Sequence, residues 1–271
     1  MRNRFMKTGL LAVAAGLLLS TATLCQSVSF KDPANDDNGP GTYTYPTDAV
    51  YKRGSFDLTG LEVSAKGNKV DFDVNFNTPL EDPWKMGGGF SVQMVFIFID
   101  TKEGGFKETF PGLNVAFADG NEWDKLIILS PQGPGRVKSE VTEKLPAAMQ
   151  AAVIVPTRTK GAGRTISATV GLDELGGGDP SQWGYQVLVQ SNEGFPEGKD
   201  ILTRKVNEYE GQHRFGGGTD YDCDPHAIDV LAGAGAGAAD EAEAQHTMLK
   251  YECNADGSVK QTATLKMVRK S

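Results

Sequence analysis

Residues 70–76 read V-D-F-D-V-N-F, so Val70, Phe72, Val74 and Phe76 alternate with Asp71, Asp73 and Asn75. On an extended strand successive side chains point to opposite faces, which makes one face here apolar and the other polar. The preceding residues, 54–63, carry Phe56 and Leu58, then Leu61 and Val63 after a break at Gly60. Gly67-Asn68 between the two runs supplies a turn, so residues 54–76 predict a β-hairpin with one buried face. Residues 90–99 differ, because Val95 to Ile99 is an unbroken V-F-I-F-I. A strand apolar on both faces suits a central position with cover on two sides. Further strands are expected at 125–129, 151–156, 165–170 and 185–190, separated by glycine- or proline-containing connectors. Short helices are expected at 172–175, ended by Gly176 to Gly178, and at 225–231. Many short strands with frequent turn signals predict an all-β fold, an antiparallel β-sandwich with one or two short helices.

Upstream of the hairpin, residues 30–46 read F-K-D-P-A-N-D-D-N-G-P-G-T-Y-T-Y-P. Proline fixes φ and removes a donor, and glycine opens the left-handed region, so this is a constrained loop. It gathers several oxygen atoms, as hard cations such as calcium require. It is no EF-hand, since Ala34 sits at the first ligand position and Tyr45 where the bidentate Glu belongs. The expected ligands are Asp32 and Asp37, then Asp36, with Asp57 or Asp100 completing a shell from neighbouring strands. The competing reading is an Asx-turn loop whose carboxylates accept from backbone N–H groups. A second acidic run, Asp220, Asp222, Asp224 and Asp229, admits either a cation or Asp224 as N-cap of a helix at Pro225.

At the start of the chain, Arg2, Arg4 and Lys7 precede an apolar run from Gly9 to Leu19 and a small-residue exit. Residues 1–27 therefore predict a signal peptide, and hence a protein secreted, periplasmic or at the cell surface. A lipid anchor at Cys25 is not expected, because Leu24 precedes it rather than a small residue. No later stretch approaches the roughly 18 apolar residues of a spanning helix. The leader holds three basic residues and no acidic ones, so its removal takes the net charge from −8 to −11. An acidic surface argues against nucleic acid and anionic lipid, and suits calcium and neutral ligands such as sugars. Without Cys25, Cys223 and Cys253 remain; in an oxidising compartment they pair, a bridge worth about 2–4 kcal/mol. The alternative is a metal at the C-x-x-H run from Cys223 to His226. The rest of the chain, 28–271, reads as a single domain. Within it, 232–247 is a Gly/Ala and then acidic excursion, before the alternation of 259–268 returns to the sheet.

Several phrases occur together: D-P-x-x-D-D-x-G-P-G-x-Y-x-Y-P at 32–46, G-S-F-D-L at 54–58 and P-W-x-x-G-G-G-F-S-x-Q at 83–93. F-I-D-T at 98–101, P-G-L-N at 111–114 and W-G-Y-Q-V-L-V at 183–189 follow. The last is F-G-G-G-T-D-Y-x-x-D-P-H-A-I-D-V-L at 215–231. In this order they resemble the C-terminal domain of glucodextranase-type and amylopullulanase-type enzymes, a DOMON-like β-sandwich related to family nine carbohydrate-binding modules. The resemblance runs from about residue 29 to 231. It implies a non-catalytic module that binds polysaccharide or cell-surface glycan, with calcium in loops near the first strands. Hydrolysis belongs to other domains in those enzymes, so a separate glycoside hydrolase is an implied partner. Where the family carries an aromatic before F-G-G-G, this chain has His213 and Arg214.

Sugar recognition needs flat aromatic faces with polar groups at the rim. Trp84 and Trp123 lie in loops and are the expected platform, with Tyr43 and Tyr45 as further candidates; Trp183, at a strand start, reads as structural. Each loop tryptophan can equally plug one end of the sandwich. Catalytic signatures are missing: no G-x-S-x-G, H-E-x-x-H, Walker loop or dinucleotide fingerprint occurs. The chain is accordingly expected to be no enzyme. Two other classes compete with sugar binding: a structural or surface-attachment protein that uses the sandwich for protein contacts, and a haem or redox carrier, which three histidines serve poorly.

Overall fold

The structure, a computed structural model, describes residues 26–221 and 223–270. The expected leader lies outside these residues except for Gln26 and Ser27, which are paired in a strand. In chain order the strands begin with β1 (Gln26–Lys31), β2 (Leu58–Lys66), β3 (Lys69–Phe76), β4 (Gln93–Asp100), β5 (Val115–Phe117) and β6 (Lys125–Leu129). Two helices follow, α1 (Pro134–Lys144) and α2 (Ala147–Gln150). Then come β7 (Val153–Ile154), β8 (Thr159–Ala162), β9 (Thr165–Gly171), β10 (Gly184–Ser191) and β11 (Asp229–Val230). The chain ends with α3 (Glu241–Met248), β12 (Glu252–Cys253), β13 (Val259–Gln261) and β14 (Ala263–Leu265).

Two five-stranded sheets form the body, in the orders β1-β2-β3-β9-β8 and β11-β10-β4-β6-β7. The hairpin is as expected: β2 pairs antiparallel with β3, and Gly67 turns the chain at φ +61°. Val70, Phe72, Val74 and Phe76 are buried against the second sheet. The apolar run of β4 divides by parity. Val95, Ile97 and Ile99 join the core between the sheets, while Met94, Phe96 and Phe98 belong to a second core on the other side. Val137 and Val141 of α1, Met149 of α2, Met248 of α3 and the parallel pair β5–β14 cover that second core. The fold is thus an all-β sandwich with an extra layer over one sheet, and that layer explains why β4 is apolar on both faces.

Two helix expectations fail. Residues 172–175 form a single turn, with Leu175 N–H to Gly171 O (3.3 Å), ended by three glycines at positive φ. Residues 225–231 are extended, because β10 offers an open edge: Ile228 N–H donates to Val189 O and Leu231 N–H to Val187 O. Asp224 caps no helix; it accepts from Thr219 Oγ1 at 2.6 Å. Helix α1 has no counterpart among the expectations. Its signals are Pro134 at the first turn, Val137 and Val141 one turn apart on one face, and Glu140 paired with Lys144.

Cys223 and Cys253 form the expected disulfide, with Cα atoms 5.7 Å apart. The Gly/Ala run is a tightly organised excursion. Backbone N–H groups of Ala234, Ala236, Gly237 and Ala238 all donate to the Glu241 carboxylate at the start of α3. Burial pushes the Glu241 carboxyl up, but these donors outweigh it and hold it below the usual carboxylate range.

Candidate metal centre and binding cleft

The loop 30–46 is clamped from three directions. At its start, Lys31 N–H donates to Gly235 O and Asp32 N–H to Thr59 O. In its middle, Gln245 of α3 donates to the carbonyls of Asp36 and Gly39 and accepts Val230 N–H. At its end, Thr44 exchanges both backbone hydrogen bonds with Gly216. A Cβ on Gly217 would lie 2.1 Å from Thr42 O, so the F-G-G-G segment must be glycine to pass this close. The two most distinctive phrases of the sequence are therefore one packed unit, with Phe215 against Tyr45 and Phe56.

This clamping converges three carboxylates. Asp32 and Asp36 from the loop and Asp229 from β11 are buried, and each places an oxygen within 4.8 Å of the others. Asp57 is also fully buried, and its charge raises the pKa of all three. Some of their oxygens are satisfied. Asp32 accepts Ala232 N–H (3.1 Å), Asp229 accepts Leu58 N–H (2.7 Å), and Asp57 accepts Asn35 N–H and Asn77 Nδ2 (2.7 and 2.8 Å). Five are not: Asp32 Oδ2, both oxygens of Asp36, Asp57 Oδ1 and Asp229 Oδ1 are buried without a hydrogen-bond partner. Burial and the neighbouring charges push Asp36 up to about 7, and burial pushes Asp57 up to about 6. Burial, with Asp36 beside Asp32 and Asp32 beside Asp229, holds both of those carboxyls well above the usual range. Buried polar atoms are almost always paired, and repelling carboxylates in a dry site are costly. An all-oxygen donor set of this kind fits a hard divalent cation.

Of the five aspartates expected as ligands, Asp32 and Asp36 join this converging set, and Asp57 is buried beside it. Asp37 does not; its carboxylate accepts from Tyr45 Oη, and burial raises it above its ordinary value. Asp100 does not either, because it pairs with Arg269 beside a separate surface cavity lined by Lys102 and Glu103. Asp229, read as part of the second acidic run, is the third member of the converging set, which chain order hid. It lies 193 residues from Asp36, and only the pairing of β11 with β10 brings it in. That run otherwise disperses, with Asp220 exposed and Asp224 bonded to Thr219; Asp222 lies outside the described residues.

The aromatic candidates separate as sharply. Trp123 is fully buried in the second core, and its Nε1–H donates to Glu108 O at 3.0 Å. Its loop pairs with Phe106 and folds the ring inward against Phe98, so it is no platform. Tyr43 is buried with its hydroxyl on Pro225 O, and Tyr45 is wedged between Phe56 and Phe215 with its hydroxyl on Asp37. Both are architectural. Trp183 is buried, as expected.

Trp84 remains half-buried at a cleft of about 240 Å³. Its ring meets Tyr51 and His213 edge-on, at centroid distances of 6.2 and 6.3 Å. The loop that carries it is fixed by Asp82, which accepts from Met86 N–H, Gly87 N–H and Ser91 Oγ. Asn192, Glu193, Arg204 and Gln132 supply polar groups around the same cleft, and Phe195 stands at its lip. His213 occupies the place before F-G-G-G where an aromatic was expected, and supplies a flat ring there. None of Gln132, Glu193, Phe195 or Arg204 was a sequence candidate; they come from separate connectors and carry no shared motif.

No described helix is long and apolar enough to cross a membrane. No curated protein matches this chain. A family model does, over residues 28–268, nearly all that is described: the C-terminal, SLH-like binding module of glucodextranase. That family is a binding module and not a catalytic domain. With the sandwich, the disulfide and the cleft already in view, the match over this length places the chain in the family of glucodextranase C-terminal binding modules.

Proposed function

We propose that this chain is a secreted, non-enzymatic carbohydrate-binding protein that holds polysaccharide or cell-surface glycan at the Trp84 cleft and is stabilised by calcium at the aspartate cluster. The observation that carries the binding half is the cleft itself. It is the place where a partly exposed indole, a second flat ring and fixed polar groups meet. Sugars present apolar C–H faces and a rim of hydroxyls, which this combination matches. The calcium half rests on the five unpartnered buried oxygens of Asp32, Asp36, Asp57 and Asp229. Its role is structural: a cation there ties the first strand, the hairpin and β11 together without reaching the cleft residues. Export follows from the leader expected at residues 1–27. A separate glycoside hydrolase would supply any hydrolysis.

The test is retention of the mature protein on immobilised polysaccharide, with Trp84→Ala beside wild type. Loss of retention with an unchanged circular dichroism spectrum supports the reading. Full retention by Trp84→Ala refutes it. The competing attachment reading, protein contacts made by the sandwich, expects whole-cell retention that free glycan does not compete away.

A further inference from the structure

We propose that the Trp84 cleft is one part of an open groove that takes an internal run of a polysaccharide chain, with Phe195 as its second stacking wall. This rests on the glycan reading above and adds to it the mode of recognition. The cleft does not end at Trp84. A second cavity of about 190 Å³ shares Met86 and Gln132 with it and continues past Ser130 and Gly133 to Thr157 and Arg158. Two adjoining cavities that share these residues suit a chain lying along the surface better than a single sugar in a closed slot. The floor is ordered in advance. Gln132 donates to Asn192 Oδ1 at 3.3 Å, and the Arg204–Glu193 ion pair, 2.8 Å, is only 14% exposed on each side. Fixed groups lose little freedom when hydroxyls dock on them.

Among the described residues, Phe195 is the large apolar side chain most at odds with burial, at 85% exposure. A lone exposed phenylalanine means little, but this one stands on the lip of an aromatic cleft. Its loop leaves the end of β10 and has a firm base, with Asn192 bridged to Thr203 and Glu193 N–H donating to Leu202 O at 2.7 Å. Arg136 of α1 lies 5.7 Å from the ring centroid and also donates to Gly194 O. A guanidinium over the ring keeps it standing at the lip. No core contact depends on the ring, so removing it leaves the fold intact.

The experiment is an array of linear neutral glucans, mannans and xylans of one to six units, each tethered through its reducing end, probed with wild type, Phe195→Ala and Trp84→Ala. Free oligomers of the same series, both native and with the reducing end converted to the alditol, serve as competitors. The inference expects wild-type binding to tethered chains that strengthens with length beyond one unit. Phe195→Ala should weaken the longer chains by about tenfold while sparing the shortest. It is overturned alone if binding is independent of length, if only oligomers with a free reducing end compete, or if Phe195→Ala matches wild type while Trp84→Ala loses binding. If wild type binds no glycan in either form, this inference and the glycan reading fall together.

Discussion

Removing calcium from the aspartate cluster should destabilise the protein, and the penalty should shrink as the pH falls. Taking Asp36 from its ordinary 3.8 to about 7 corresponds to an ionisation cost of about 4 kcal/mol at neutral pH. A carboxyl raised on folding contributes stability that is complete below the unfolded value and is lost as the pH rises through the folded one. Without cation, stability should therefore fall from about pH 4 to pH 7, with Asp57 at about 6 adding to the same slope. With calcium at a hundred times its dissociation constant, mass action restores about 2.7 kcal/mol. For a domain of this size that is a midpoint shift of roughly 5–11 °C. The assay is thermal unfolding at pH 5.5 and 7.5, with calcium and with excess EDTA. Asp36→Asn removes one repelling charge and replaces one of its two carboxylate oxygens with an amide that cannot ligate a cation, at nearly constant volume. It should raise the midpoint in EDTA at pH 7.5 and abolish most of the gain from calcium. The reasoning is refuted if EDTA leaves the midpoint unmoved at pH 7.5, or if the cation-free protein is more stable at pH 7.5 than at 5.5.

Two further substitutions separate architecture from binding. Trp123→Ala empties a fully buried site and orphans Glu108 O, so it should cost about 3–5 kcal/mol in denaturant unfolding. Glycan retention by the fraction that stays folded should be unchanged, and a selective loss of binding would return Trp123 to the ligand surface. Glu241→Ala leaves the N–H groups of residues 234, 236, 237 and 238 without their acceptor, at about 1–3 kcal/mol for each that water cannot reach. Amide exchange in residues 232–238 should accelerate first; unchanged protection there would mean that the excursion is held by something other than Glu241.

The amino-acid sequence by itself determined the hairpin, the central strand, the sandwich class and the disulfide, because each is written locally. Alternation of Val70 to Phe76, five consecutive apolar residues from Val95, and two cysteines in a chain with a predicted leader need no long-range information. It also marked residues 30–46 as oxygen-rich. It could not say which oxygens converge, since a carboxylate becomes a ligand through its neighbours in space. Asp32, Asp36 and Asp57 were legible as candidates; Asp37 and Asp100 looked equivalent until Tyr45 and Arg269 were seen to hold them. Asp229 entered only through sheet pairing, where an open edge of β10 overrode a local helix signal. The aromatic site shows the same division. Trp84 and Trp123 sit in similar polar loops, yet one packs under a second core and the other stays at a cleft. That second core, laid down by α1, α3 and the β5–β14 pair, decides which faces of the sandwich remain open. The contacts that build it join residues far apart in the chain, which is why only the tertiary structure could show which loop tryptophan is buried and which lines a cleft.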